Sequence, residues 1–234
     1  MSAIGSLFRS TIGKKAWMAV TGLVLFAFVA GHMFGNLKLY QGRYAEGPHA
    51  GEWKIDVYGE GLRELGAPVL GNGQALWIVR LGLLAAVAIH IWAATALTLQ
   101  SRAARPVRYA KRKAIKADYA ARTMRWGGVI VLLFVLYHLA DLTFGNTNPE
   151  FVRGAVHHNL VASFSRPWVS IFYVAANLAL GLHLFHGLWS FFQSMGWNNP
   201  KFNPWRRRFA VVSAVVITAG NVSFPLAVLL GVVR

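Results

Sequence analysis

Residues 16–35 read AWMAVTGLVLFAFVAGHMFG, an apolar run that holds one ionisable side chain, His32. A helix rises about 1.5 Å per residue, so a run of this length covers about 30 Å, the hydrocarbon thickness of a bilayer. It is too long for the apolar core of a secretory leader, and no small-residue cleavage pattern follows, so it reads as a membrane span. Four further stretches share its character: 75–99, 126–144, 168–192 and 209–233. With 56% hydrophobic and 14% charged residues and a mean hydropathy of +0.44, the chain is mostly membrane. The expected fold is all-α, a single integral membrane domain over residues 1–234 built as a bundle of five transmembrane helices, spans I to V.

The net charge of +16 is distributed by side. Arg9, Lys14 and Lys15 precede span I. Arg102, Arg105, Arg108, Lys111, Arg112, Lys113, Lys116, Arg122 and Arg125 fill the II–III loop, and Lys201, Arg206, Arg207 and Arg208 the IV–V loop. The other two loops hold most of the acids: Glu46, Glu52, Asp56, Glu60, Glu64 and Glu150. The positive-inside rule then puts the N-terminus in the cytoplasm and the C-terminus outside. A basic inner face suits anionic lipid or an acidic soluble partner. It does not read as a nucleic-acid surface, because the basic loop lacks interleaved aromatics and any base-reading motif.

Cysteine is absent, which excludes cysteine-held iron–sulfur clusters, covalent C-x-x-C-H haem and disulfides in this chain. No G-x-G-x-x-G joins a strand to a helix and no P-loop is present, so nucleotide chemistry has no seat here. Any redox centre must be carried by imidazole.

Of eight histidines, His49, His157 and His158 fall in external loops and read as solvated residues. Five lie inside spans: His32 in I, His90 in II, His138 in III, and His183 and His186 in IV. Ionisable residues within a bilayer are costly and read as functional. Spans I and III run outward with His32 and His138 late in them; spans II and IV run inward with His90 and His183 past their middles. The histidines therefore form two levels with two in each. Two imidazoles facing across a bundle at one depth suit the two axial positions of a haem b iron.

The flanking residues repeat. Ala86 and Ala94 lie four positions either side of His90, and Ala179 and Gly187 either side of His183, leaving room on the histidine face for a flat macrocycle. Gln-Ser follows ten residues after each, at 100–101 and 193–194. His32 and His138 each have phenylalanine four positions earlier, Phe28 and Phe134, and Gly-Asn afterwards, at 35–36 and 145–146. Spans I–II and III–IV thus read as a diverged repeat about an axis along the membrane normal. His186 lies three residues beyond His183 on nearly the same face. His183 keeps the repeat register and is taken as the ligand; His186 is a hydrogen-bonding neighbour, a propionate partner or a packed residue.

Taken in order, GHMFGNLKLY, VYGEGLRELG, LWIVRLGLLAAVAIHIWAATALT, RTMRWGGVIVLLFVLYHLADLTFG and LGLHLFHGLWSFFQSMGWNNPK resemble the membrane-anchor cytochrome b subunit of succinate:quinone oxidoreductases, in the single-chain, five-helix, dihaem branch shared with fumarate reductases. The resemblance implies two haems b, a quinone site, usually for menaquinone, and docking of a flavoprotein and an iron–sulfur subunit on the cytoplasmic side. Dicarboxylate chemistry belongs to the flavoprotein, and the whole complex can form a higher oligomer. The family pattern places a distal haem between spans I and III, matching His32 and His138, and a proximal haem between II and IV, matching His90 and His183. One departure stands out: some members carry a glutamate, implicated in proton transfer, two residues before the span IV ligand, where this chain has Gly181.

A quinone site needs an apolar cleft and a few polar groups. Candidates on the outer side are Asp141, one turn beyond His138, with Arg63 and Glu64 before span II; the last two also read as a surface pair. Trp126, Trp168, Trp197 and Trp205 sit at span ends as interfacial anchors. Two other classes remain open: a dihaem anchor serving a different quinone-linked dehydrogenase, and a haem-free anchor or transporter whose histidines are polar contacts or a proton relay. A bc-type cytochrome b is not matched, since it places two histidines about a dozen residues apart on each of two helices.

Overall fold

The computed structural model describes residues 8–104 and 119–234. Five helices are long and apolar enough to cross a membrane: α1 (Thr11–Asn36), α3 (Gln74–Ala103), α4 (Tyr119–Leu142), α6 (Pro167–Ser194) and α7 (Asn203–Leu229). They correspond to spans I to V. Two short helices, α2 (Lys54–Gly61) and α5 (Val156–Phe164), interrupt the loops, and no strand occurs among the described residues. Of the basic loop, Arg105, Arg108, Lys111, Arg112, Lys113, Lys116 and the side chain of Arg122 lie outside the described residues, whereas Arg102 and Arg125 are exposed.

Local chemistry sets the helix ends. Ser10 caps α1, its Oγ accepting from the Gly13 amide at 3.0 Å, as N-cap serines do. Pro204 sits in the first turn of α7, where its missing amide costs nothing, so α7 starts six residues before the apolar run. It also stops earlier than the run: Gly231 has φ +70° and the Val232 amide returns to the Ala227 carbonyl, the reversal that ends helices at glycine. Likewise α4 ends at Leu142, and Gly145 turns the chain with φ +76°.

Packing follows the repeat. α1 lies against α3 and α4 against α6, while α7 packs along α6 and touches α1. Glycine permits the closest approaches, since a Cβ at Gly220 would overlap Met33 of α1 and one at Gly181 would overlap Thr218 Oγ1 of α7. Position 181 is thus filled by the neighbouring helix, which leaves no room there for a glutamate. The buried cluster of Met33, Phe134, Tyr173, Leu184 and Ile217 holds α1, α4, α6 and α7 together. By contrast, only Ala86 and Ala93 of α3 are buried. Outward-facing Leu81, Leu84, Leu133, Leu136, Val212 and Val215 are all well exposed, an apolar surface that water does not tolerate but lipid does.

One end of the bundle carries a cap in which α2 packs on α5. The loops between α1 and α3 and between α4 and α6 therefore share a face, and the Tyr40 hydroxyl donates to Ser223 Oγ of α7 at 2.7 Å. His157 corrects the loop expectation made for it. It lies on α5, buried, stacked on Trp53 with centroids 3.5 Å apart and planes 4° from parallel; Arg43 covers the Trp53 ring at 4.3 Å. Burial lowers its pKa, Asp56 opposes that, and Arg43 and His158 add to it. His49 and His158 are exposed, held by Glu52 and by the Glu150 carbonyl.

Candidate functional site

Two pairs of imidazoles meet across gaps in the bundle. Helices α1 and α4 are not packed together as α1 and α3 are, yet the rings of His32 and His138 face each other with centroids 5.9 Å apart and planes at 90°. Helices α3 and α6 likewise stand off, and His90 faces His183 at 6.3 Å and 62°. His90 lies against Gly22, ten residues before His32 on α1, so the two levels are about 15 Å apart along the bundle.

Metal geometry gives a yardstick. Imidazole nitrogens on opposite sides of one metal ion, each about 2.0 Å from it, place the ring centres about 6.3 Å apart. Two imidazoles bonded directly through one hydrogen would come to about 5.2 Å. Both observed spacings lie nearer the first value. Among the described residues no cluster of three or more His, Asp or Glu side chains could cage a bare ion. Imidazole is the donor type that takes up a metal held by a macrocycle, and the donors brought together at the two levels are His32 with His138 and His90 with His183.

The inner pair is oriented from behind. His90 Nδ1 lies 3.1 Å from the Met18 carbonyl and 3.2 Å from Thr21 Oγ1. Thr21 spends its own proton on the Trp17 carbonyl at 2.7 Å, so Nδ1 is the donor and Nε2 keeps a free lone pair, the tautomer a metal ligand requires. The acceptor thus comes from the neighbouring helix α1. Opposite, His183 Nδ1 is buried without a bond of ordinary geometry, with the Met124 carbonyl in the matching place.

Gly22 makes room for the His90 ring, and Gly128 lies beside the His183 ring. A Cβ at Gly22 would stand 3.2 Å from His90 Cε1, and one at Gly128 would stand 3.6 Å from His183 Cε1. Met18, Gly22, Phe28 and His32 recur at identical spacing as Met124, Gly128, Phe134 and His138. The sequence reading used only the phenylalanine and histidine of this register. Its Met-x3-Gly element was there to be found.

The outer pair has a different backing. Tyr173 Oη lies 3.4 Å from His138 Nδ1 and donates to Asp141 Oδ2 at 3.0 Å. Since that hydroxyl has one proton and gives it to the carboxylate, it accepts from Nδ1–H and again leaves Nε2 open. Asp141 is fully buried and pairs with Arg166 at 2.8 Å; Ser163 also bonds its Oδ2 and Thr147 its Oδ1, the latter at 3.4 Å. Arg166 further donates to the Thr147 carbonyl at 2.7 Å. Sequence reading missed Tyr173, Ser163 and Arg166, whose contacts with α4 are long-range.

Other expected site residues are placed as follows. His186 sits 3.1 Å from Ser190 Oγ, one turn along α6. Asp141 has both oxygens taken by the network, so it forms a fixed counter-charge and not an open wall of a cleft. Arg63 bonds Glu60, not Glu64, and Glu64 is exposed. Neither joins the Asp141 network. His32 is stacked on Phe28 at 5.4 Å and is exposed. No protein-family model, curated protein or solved structure matches the chain.

Proposed function

We propose that this chain is the membrane-anchor cytochrome b of a succinate:quinone oxidoreductase, carrying electrons between a soluble iron–sulfur partner and menaquinone by way of two haems b. The observation that carries the proposal is the double pairing of His32 with His138 and of His90 with His183, with ring centroids 5.9 and 6.3 Å apart. The order of the quoted sequence segments supports the choice of complex. When bound, each haem supplies a one-electron carrier in a dry site.

The chain's own residues do the rest. Met18 and Thr21 hold His90, and Tyr173 holds His138, through Nδ1, so that each Nε2 keeps its lone pair as a neutral donor. Gly22 lets the His90 ring approach α1. The apolar faces of α1, α3, α4 and α6 exclude water, which keeps both levels at low dielectric. Asp141 and Arg166 place a neutralised ion pair behind the outer level, and the basic loops at the opposite end offer an acidic soluble partner its docking surface. By the positive-inside rule that basic end is cytoplasmic, in a multi-pass protein of the cell's inner membrane.

The test is reduction by substrate. Purified with its soluble partners, the complex should show b-type absorption that is reduced on adding succinate and reoxidised by a menaquinone analogue. Absorption that dithionite reduces but succinate does not would point to a different dehydrogenase, and no b-type absorption would overturn the proposal.

A further inference from the structure

The hydrogen bonds behind the two histidine pairs differ in charge. At the inner level His90 Nδ1 meets neutral groups, the Met18 carbonyl and Thr21 Oγ1, at 3.1 and 3.2 Å. At the outer level the same ring position of His138 leads through Tyr173 Oη to Asp141 Oδ2, over 3.4 Å and then 3.0 Å. Asp141 and Ser163 are fully buried and Tyr173 is nearly so, so the carboxylate acts on this chain of bonds with little screening.

Asp141 divides its two oxygens between tasks. Oδ1 takes Arg166 Nη2 at 2.8 Å and Thr147 Oγ1 at 3.4 Å, whereas Oδ2 takes the hydroxyls of Tyr173 and Ser163. The cation therefore sits on the oxygen that Tyr173 does not use, and at 22% exposure solvent weakens its field. A hydroxyl that gives its proton to a carboxylate is a stronger acceptor, because hydrogen bonds in series polarise one another. It draws on His138 Nδ1–H and raises the basicity of Nε2. A more basic axial donor favours the oxidised metal over the reduced one.

We infer that Tyr173 and Asp141 are positioning residues that set the electron affinity of the outer level separately from the inner one, with Ser163 competing against Tyr173 for Asp141 Oδ2. The inference rests on the haem reading of the two histidine pairs. Its chemistry is confined to the outer pair, because His90 has no charged group in the matching place.

The test is a redox titration of the full-length, haem-saturated chain, in which the outer component is the one that His32→Ala removes. The Tyr173 ring packs edge-on against Phe134 and Phe164, with centroids 5.1 and 4.9 Å away, so Tyr173→Phe keeps the packing and removes only the oxygen. It should raise the outer midpoint by the equivalent of about tenfold in the reduction equilibrium, about 59 mV for one electron, and leave the inner midpoint in place. Ser163→Ala frees Oδ2 for Tyr173 and should lower the outer midpoint by a smaller step. Opposite signs separate tuning from a merely structural role, since loosening of the outer end would move both variants the same way. Shifts of one sign, equal shifts of both components, or no shift in either variant would overturn the inference while leaving the haem reading intact. A wild-type chain with no b-type component would instead overturn that reading, and the inference with it.

Discussion

Removing the charge of Asp141 alone should destabilise the outer end of the bundle about as much as removing the whole ion pair. In Asp141→Asn an amide –NH₂ must replace one carboxylate oxygen, where Arg166, Ser163, Tyr173 and Thr147 are all donors. One donor is then left facing another donor, and the Arg166 charge loses its counter-ion. Breaking a buried pair from one side costs about 3–5 kcal/mol. Arg166 is 22% exposed and keeps carbonyl partners, which favours the lower end, about 3 kcal/mol. Arg166→Met should cost a similar amount, because it strands the carboxylate. The double change Asp141→Asn with Arg166→Met removes both charges together and should cost about 3–4 kcal/mol, well under the sum, with a coupling of about 2–3 kcal/mol. Equilibrium unfolding in mixed detergent, followed by tryptophan fluorescence, measures all of these. Additive losses, or an Asp141→Asn loss below about 1 kcal/mol, would refute the view of Asp141 as a fixed structural counter-charge.

Three further outcomes are expected. Tyr173→Phe removes the acceptor for His138 Nδ1–H and should weaken haem retention at the outer level about 10-fold or more; Tyr137→Phe, whose hydroxyl lies near Thr147 and bonds no histidine, should not, as haem titration of the two variants would show. Gly22→Leu should push His90 aside and lower bound haem, whereas Gly31→Ala, which meets nothing within 4 Å, should leave haem per chain unchanged. Acidification should loosen the α2–α5 contact: burial lowers the folded pKa of His157, so the unfolded state binds more protons, and stability is full above the unfolded value of 6.5 and falls as pH drops below it. His157→Phe keeps the stack on Trp53, and hydrogen exchange in 54–61 and 156–164 should then lose that pH dependence.

The five spans were legible because apolar length is a one-dimensional signal. The ends were not, since Pro204 and Gly231 fix α7 through backbone chemistry that a hydropathy run ignores. Short helices α2 and α5 escaped notice because each is stabilised by the other, through contacts such as the His157 amide to Asp56 Oδ1 at 2.7 Å, which local sequence does not encode. Pairing of the histidines could be read from depth, as both members of a pair share a level. What backs them could not: Met18 serves His90 from 72 residues away, and Arg166 reaches Asp141 across 25. Gly22 and Gly128 lay between these cases, visible as a repeat register once their purpose was known.

The most direct measurement is the haem content, by pyridine haemochrome and reduced-minus-oxidised spectra, of wild type, His32→Ala and His90→Ala. The pairing predicts two b haems per chain in wild type and the loss of one in each variant, with the spectral component lost in His32→Ala being the one kept in His90→Ala. Absence of haem from the wild-type chain, or loss of the same component in both variants, would contradict it.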